Sequence, residues 1–209
     1  TFTVSSASTY KDVKIEKSSG NLTTAGSGKA KFTSLGINSG ASSVVTFNNE
    51  TDITNITLTK ANKTIFNKET TIHGASIDST NSGDIEFNGG GKVLVSVIEA
   101  GGTVKVTGSS KLSFLTGLTA KSPFNVTGVL ETTDLEIDGS TFANSGTVTA
   151  TGDVSSNSTL SNSGTLSVGG DLTSSGTLKN EGTGTLAVTG DITSSGVFTN
   201  NGTTTAGSD

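Results

Sequence analysis

The sequence predicts an all-β fold, a right-handed parallel β-helix (β-solenoid), with three short strands per rung and about 18–20 residues per rung. Three observations support this prediction: a fixed repeat, a scarcity of good helix formers, and a low apolar content. Only 30% of the 209 residues are hydrophobic, and 28 are glycine. Such a chain cannot fill a thick globular core, but a solenoid buries only a few inward side chains per rung.

The repeat is clearest in the C-terminal part of the chain. Glycines recur there at intervals of 18, 18, 18 and 20 residues, and we interpret the longer last interval as an insertion of Thr183 and Gly184. Asparagine and apolar residues recur at corresponding steps, and we expect the apolar ones to point inward. The repeating residues are Gly128, Gly146, Gly164, Gly182 and Gly202; Asn144, Asn162, Asn180 and Asn200; Leu130, Val148, Leu166 and Leu186; Phe142, Leu160, Leu178 and Phe198.

One repeat contains three apolar points separated by turn residues. Val148 and Ala150 alternate with polar residues, which predicts a strand with one buried face. Val154 and Leu160 mark two further short strands, and glycine and asparagine between them favour turns. We expect the asparagines to form a hydrogen-bonded ladder along the axis and the recurring Gly-Asp pairs to form turns; a ligand face and an ion site are the respective alternatives.

The N-terminal part repeats less regularly. The steps from Ile65 to Ile85, Val104 and Phe124 are 20, 19 and 20 residues. No proline-rich linker or helical segment interrupts the chain. We therefore predict a single domain over residues 1–209, with regular repeats over 124–203 and degenerate rungs over 11–123.

Residues 162–172, Asn-Ser-Gly-Thr-Leu-Ser-Val-Gly-Gly-Asp-Leu, resemble the β-solenoid passengers of bacterial autotransporters and filamentous-haemagglutinin-type surface adhesins. The resemblance is clear over residues 124–209. The remainder of the chain shares only the general character of such repeats. It implies a protein that is secreted or displayed on the cell surface. Such a protein is often an adhesin, or a stalk that presents other modules, and has a host-cell, matrix or glycan ligand.

The composition argues against an enzyme. The chain has no Cys, no Arg and a single histidine, His73, which we expect in an exposed strand or turn. No catalytic residue and no cofactor is predicted, although polysaccharide-active β-helix enzymes remain an alternative. The net charge of −5 and the missing arginines argue against a nucleic-acid partner. The chain contains no run of about 18 apolar residues, so the sequence predicts no membrane-spanning segment.

One acidic group is a weak candidate for a Ca²⁺ site. Asp134, Glu136 and Asp138 alternate with Leu135 and Ile137, so on a strand the three carboxylates share the solvent face. A solvated acidic face is the simpler interpretation. Carboxylate oxygens are the ligands that Ca²⁺ prefers, which keeps the metal alternative open.

The sequence therefore favours a non-catalytic, extracellular structural or adhesive solenoid. The main alternative is a protomer of a self-assembling extracellular filament or surface layer that associates head to tail. Residues 1–121 carry 12 lysines against 9 acids and residues 122–209 carry 1 against 9, while Phe2 and Val4 alternate with threonine as a free strand would. Ice binding is a remote alternative, because the Thr147-Val148-Thr149 pattern loses its second threonine in the next two copies.

Overall fold

The computed structural model describes residues 2–3, 6–40, 42–78 and 80–207, and within these ranges it contains strands and turns but no helix. Valine, isoleucine, phenylalanine and threonine supply the strands, and glycine, asparagine and serine supply the turns. Each strand pairs in parallel with the equivalent strand one rung earlier or later.

In chain order the strands are β1 (Phe2–Thr3), β2 (Ser8–Lys17), β3 (Leu22–Ala25), β4 (Ala30–Ser39), β5 (Val44–Phe47), β6 (Thr51–Lys60), β7 (Lys63–Phe66), β8 (Thr70–Ile77), β9 (Asp84–Phe87), β10 (Gly91–Val93), β11 (Val97–Ile98), β12 (Val104–Val106), β13 (Lys111–Phe114), β14 (Leu118–Ala120), β15 (Phe124–Val126), β16 (Val129–Thr132), β17 (Leu135–Ile137), β18 (Phe142–Asn144), β19 (Thr147–Ala150), β20 (Val154–Ser156), β21 (Thr159–Asn162), β22 (Thr165–Val168), β23 (Leu172–Ser174), β24 (Thr177–Asn180), β25 (Thr185–Val188), β26 (Ile192–Ser194), β27 (Val197–Asn200) and β28 (Thr203–Ala206).

These strands form three parallel sheets. Sheet 1 contains β1, β3, β5, β7, β9, β12, β15, β18, β21, β24 and β27; sheet 2 contains β2, β4, β6, β8, β10, β13, β16, β19, β22, β25 and β28; sheet 3 contains β11, β14, β17, β20, β23 and β26. Eleven rungs at the usual strand spacing give a stack about 50 Å long. The predicted β-solenoid with three strands per rung is confirmed.

The early rungs build their third side differently from the later ones. In β4, Phe32 and Leu35 are both buried, although a straight strand would bury residues two apart. The pairing of β2 with β4 also skips Thr33, so the strand bends at this point. In these rungs a single long strand turns the corner that two short strands turn later in the chain.

The core consists of inward columns that run along the axis. The inward prediction is confirmed for seven residues that are fully buried: Leu130, Phe142, Val148, Leu160, Leu166, Leu178 and Leu186. It is wrong for Phe198, whose side chain is 41% exposed. Phe198 does occupy the inward register opposite Leu178, but β27 is the last strand of sheet 1, and no further described strand covers it.

Two details of the predicted repeat are also wrong. Thr64, not Ile65, pairs with Ile85, and Ile65 lies opposite Glu86 on the outer face. The ring of Phe66 fixes this register, because it stacks at 5.0 Å from Phe47 and 5.3 Å from Phe87.

The glycine column contains Gly184 instead of Gly182. The Thr185 N–H donates to Gly164 O, and the Thr203 N–H donates to Gly184 O. Gly182 lies outside the column, with no atom near the position of an added Cβ.

The N-terminal strand is not free. Phe2 and Thr3 pair with Thr24 and Ala25 of the same chain, so β1 belongs to sheet 1. Val4, the other residue on which the free-strand prediction rested, lies outside the described residues.

Candidate functional site

The acidic group lies on sheet 3 with the predicted orientation. Leu135 and Ile137 are buried, and Glu136 of β17 faces solvent. Asp134 and Asp138 flank the strand at the two turns. Each carboxylate has a different partner: Asp134 accepts the N–H of Asp153 (2.9 Å), Glu136 accepts the hydroxyl of Thr119 (3.0 Å), and Asp138 accepts the side-chain amide of Asn157 (2.7 Å).

The Gly-Asp turns explain why the Asp134 carboxylate accepts a backbone hydrogen bond from the next rung. Asp153 and Asp171 repeat its contact, since each accepts the N–H of the aspartate one rung later, at 2.8 and 2.9 Å. The preceding glycine leaves room for this carboxylate: a Cβ on Gly152 would lie 2.2 Å from Asp134 Oδ1. The Gly-Asp pair is thus a turn in which the carboxylate binds the backbone of the next rung.

The three carboxylates have different partners, and the Ca²⁺ interpretation stays a prediction. Among the residues that the structure describes, no group of three or more His, Cys, Asp or Glu side chains is placed to hold a metal ion. The hydrogen bond from Asn157 to Asp138, together with Lys121 at 3.5 Å, holds the pKa of the Asp138 carboxyl below its usual range. These contacts describe a solvated acidic face whose carboxylates bind neighbouring rungs.

Outside this acidic group, Asp84 forms an ion pair with Lys105, which lies 21 residues later in the chain. Partial burial alone would raise the pKa of Asp84, but the Asp84 carboxylate accepts hydrogen bonds from Lys105 Nζ at 2.7 Å and from the Thr103 N–H at 2.8 Å. These bonds and the nearby lysine charges lower the pKa below its ordinary value of 3.8. The same contact raises the pKa of Lys105.

We expect Asp84→Asn to remove a stabilisation that depends on pH. Because the pKa is lower in the folded state, the ionised carboxylate stabilises the fold above its unfolded pKa, and this contribution is lost as the pH falls through the folded-state value. The difference in urea midpoint between wild type and Asp84→Asn should therefore be larger at about pH 7 than at about pH 2. An equal difference at both pH values would mean that the carboxylate charge does not stabilise the fold.

His73 lies on β8, and its side chain is 44% exposed, as the sequence predicts. Its Nε2 lies 3.0 Å from Asp52 Oδ1 on the preceding rung.

Sheet 2 carries a surface feature that spans several rungs. A shallow groove of about 520 Å³ runs along the outer side of β19, β22, β25 and β28. Ten residues line it, and the larger part of the lining surface is apolar. Five of the ten carry hydroxyl groups: Thr149, Thr151, Ser167, Thr189 and Thr205. We call this feature the hydroxyl groove. It follows the axis, so an extended polymer could contact several rungs at once.

The neighbouring threonines form a regular outer column. Thr147, Thr165, Thr185 and Thr203 are exposed and lie in register. The adjacent column reads Thr149, Ser167, Ala187 and Thr205, so the second threonine returns in β28 after two replacements. The second threonine column is therefore interrupted at two of its four positions, and ice binding stays a prediction.

Three features of the structure are not evident from the sequence. One is a second amide ladder, in which Asn67 donates to Asn48 and Asn88 donates to Asn67, each at 2.7 Å. Their spacings of 19 and 21 residues conceal the repeat. The other two are the hydroxyl groove and a hollow at the N-terminal end, because both combine residues from rungs whose register only the structure gives.

Comparison with protein-family models, with curated proteins and with solved structures finds no match. The resemblance to autotransporter passengers therefore stays a prediction based on the repeats. Within the described part of the chain no helix is long and apolar enough to cross a membrane. The fold defines the class: the chain is a parallel β-solenoid repeat protein.

Proposed function

We propose that this protein is a non-catalytic, secreted or cell-surface solenoid with a structural or adhesive role, similar to an adhesin stalk. One observation carries the proposal: the two long sheets continue through eleven strands and present outward columns at a constant spacing. A ligand that is itself a repeating polymer, such as a glycan, would meet one side chain of the hydroxyl groove on each successive rung. Three of these four side chains carry a hydroxyl group: the column reads Thr149, Ser167, Ala187 and Thr205. Weak contacts then add up along the axis.

We expect the immobilised protein to bind glycan or matrix polymers without cleaving them. Ser167→Trp places a bulky ring in the middle of the hydroxyl groove and should weaken this binding by about tenfold or more. Ser161→Trp is the matched control, because Ser161 is also half-buried and faces outward, but on sheet 1. Biolayer interferometry measures the binding, and a reducing-end assay detects cleavage.

The same assay distinguishes the proposal from a polysaccharide-active enzyme. Release of reducing ends that Asp134→Ala or Asp138→Ala abolishes would overturn the proposal. Equal loss of binding in the Ser161→Trp control would show that the hydroxyl groove is not the ligand face. The alternative role, a self-assembling filament protomer, depends on the two ends of the solenoid.

A further inference from the structure

None of the ten described residues that line the hydroxyl groove has an ionisable side chain. They are threonine, serine, alanine, valine and glycine. One rung before Thr149, the same outer column contains Glu131, which pairs with Lys111 at 2.7 Å. A charged ligand group would lose water in the groove without meeting an opposite charge, and this loss is unfavourable. The lining therefore favours an uncharged ligand.

A column of carboxylates borders the groove. Asp153, Asp171 and Asp191 are exposed, and each follows a residue of the groove by two positions in the chain. In Asp153 and Asp171 one oxygen accepts the backbone N–H of the next rung, and the second oxygen can accept a further hydrogen bond. Residues 147–207 contain four acids and one lysine, Lys179, which lies on sheet 1. These charges repel carboxylate or sulfate groups, whereas hydroxyl groups can donate to them.

The groove also has a periodicity of two rungs. Thr151, Gly169, Thr189 and Gly207 each follow the aligned last residue of a strand of sheet 2, so threonine and glycine alternate along the axis. Successive rungs are about 4.8 Å apart, and the sugar residues of an extended 1,4-β-linked glycan follow one another at nearly this distance. Neighbouring residues of such a glycan are rotated by half a turn, so the same face returns at every second residue. The polymer and the groove therefore have matching repeats.

We propose that the hydroxyl groove binds an uncharged, extended 1,4-β-linked glycan, with one sugar residue on each rung. The threonine and serine hydroxyls exchange hydrogen bonds with sugar hydroxyls, and the apolar lining contacts sugar C–H groups. The bordering carboxylates accept hydrogen bonds from further sugar hydroxyls. This inference rests on the proposed adhesive function and names the class of its ligand.

Two polymers with the same linkage separate charge from shape. Glucomannan is an uncharged 1,4-β-linked chain, and poly-mannuronate is a 1,4-β-linked chain with a carboxylate on each sugar. The immobilised 209-residue protein should bind glucomannan in biolayer interferometry, and Ser167→Trp should weaken this binding by about tenfold or more. Poly-mannuronate should bind the groove at least about tenfold more weakly, measured as the part of its binding that Ser167→Trp removes. Amylose should bind as weakly, because its α-linked chain coils and cannot follow the axis.

Ala187→Thr should strengthen the binding of glucomannan. The outer column reads Thr149, Ser167, Ala187 and Thr205, so this substitution supplies its missing hydroxyl. We expect the affinity to rise about two- to tenfold, which is the usual gain from one hydrogen bond. Ala143→Thr is the matched control, because Ala143 is also a half-buried, outward-facing alanine but lies on sheet 1. It should leave the affinity unchanged.

The double variant Asp153→Asn/Asp171→Asn tests the carboxylate column. Each asparagine keeps an oxygen for the backbone N–H of the next rung, while two negative charges are lost. Binding of poly-mannuronate at the groove should therefore rise by about threefold or more at low salt, and added salt should reduce the difference from wild type. Equal binding of poly-mannuronate by wild type and the double variant would show that these carboxylates do not select against charged glycans.

Failure of this inference differs from failure of the proposed function. If Ser167→Trp removes binding of poly-mannuronate or amylose that is as strong as the binding of glucomannan, the groove is the ligand face but the ligand class is wrong. If the wild-type protein binds another matrix polymer but not glucomannan, this inference alone is overturned. If it binds none of the polymers, both are overturned. An Ala187→Thr variant that binds no better than Ala143→Thr excludes a sugar residue at that rung.

Discussion

Replacing Gly164 with alanine should destabilise the solenoid by about 3 kcal/mol. An added Cβ would lie 2.1 Å from Gly146 O and 2.7 Å from Ser145 C, and both are backbone atoms that cannot rotate away. The two rungs must separate at this point, which strains the hydrogen bond from the Thr165 N–H to Gly146 O (2.8 Å). Chemical denaturation followed by circular dichroism measures the loss.

Gly182→Ala is the matched control. Nothing lies within 4 Å of its added Cβ, so we expect no loss, or a gain of about 0.4–1 kcal/mol from the lower entropy of the unfolded chain. If both variants unfold at the same denaturant concentration, Gly164 is not required for close approach of the rungs.

This pair of glycines also shows where sequence reasoning has its limit. Counting from Asn180, the glycine two residues later is Gly182, so the repeat assigns it to the column. The structure anchors the rung at Thr185 and Leu186 instead, which places Gly184 in the column and leaves Gly182 outside. The sequence shows that this repeat is two residues longer than the others. It does not show which of the two glycines stacks in the column.

The fold could be predicted because its signal repeats. The later rungs from β15 to β25 repeat the same inward alternation, so an error in one rung does not change the architecture. A one-residue error in the register of a strand cannot be detected from the sequence where two apolar residues are adjacent, as at Ile65 and Phe66. Shifting a strand by one residue reverses its faces, and stacking of Phe66 on Phe47 and Phe87 decides between the two.

The candidate site was less predictable, because its contacts join residues about one rung apart. The alternation around Leu135 and Ile137 predicts that the carboxylates face solvent, and this is correct. The partner of Asp134 is the backbone N–H of Asp153, which only the register of β17 and β20 brings near. Exposure of Phe198 has a similar origin, because an inward position is buried only if another rung covers it.

Asn162 lies in the middle of the predicted amide ladder, between Asn144 and Asn180. Its side chain is buried at 1% exposure, and it accepts a hydrogen bond from Asn144 Nδ2 at 2.8 Å. It also donates to Asn180 Oδ1 at 2.9 Å and to Thr185 O at 3.0 Å. The ladder thus connects three successive rungs of sheet 1 and also reaches the first residue of β25 in sheet 2.

Asn162→Ala should therefore cost about 3–5 kcal/mol, since it leaves Asn180 Oδ1 and Thr185 O without this donor and opens a cavity. Asn125→Ala is the control, because Asn125 lies on the outer face of β15 in the same sheet and is exposed, so it should change stability by less than about 0.5 kcal/mol. The denaturant midpoints of the two variants measure the difference. Equal midpoints would show that the apolar columns alone hold the rungs in register and that the buried amides contribute nothing.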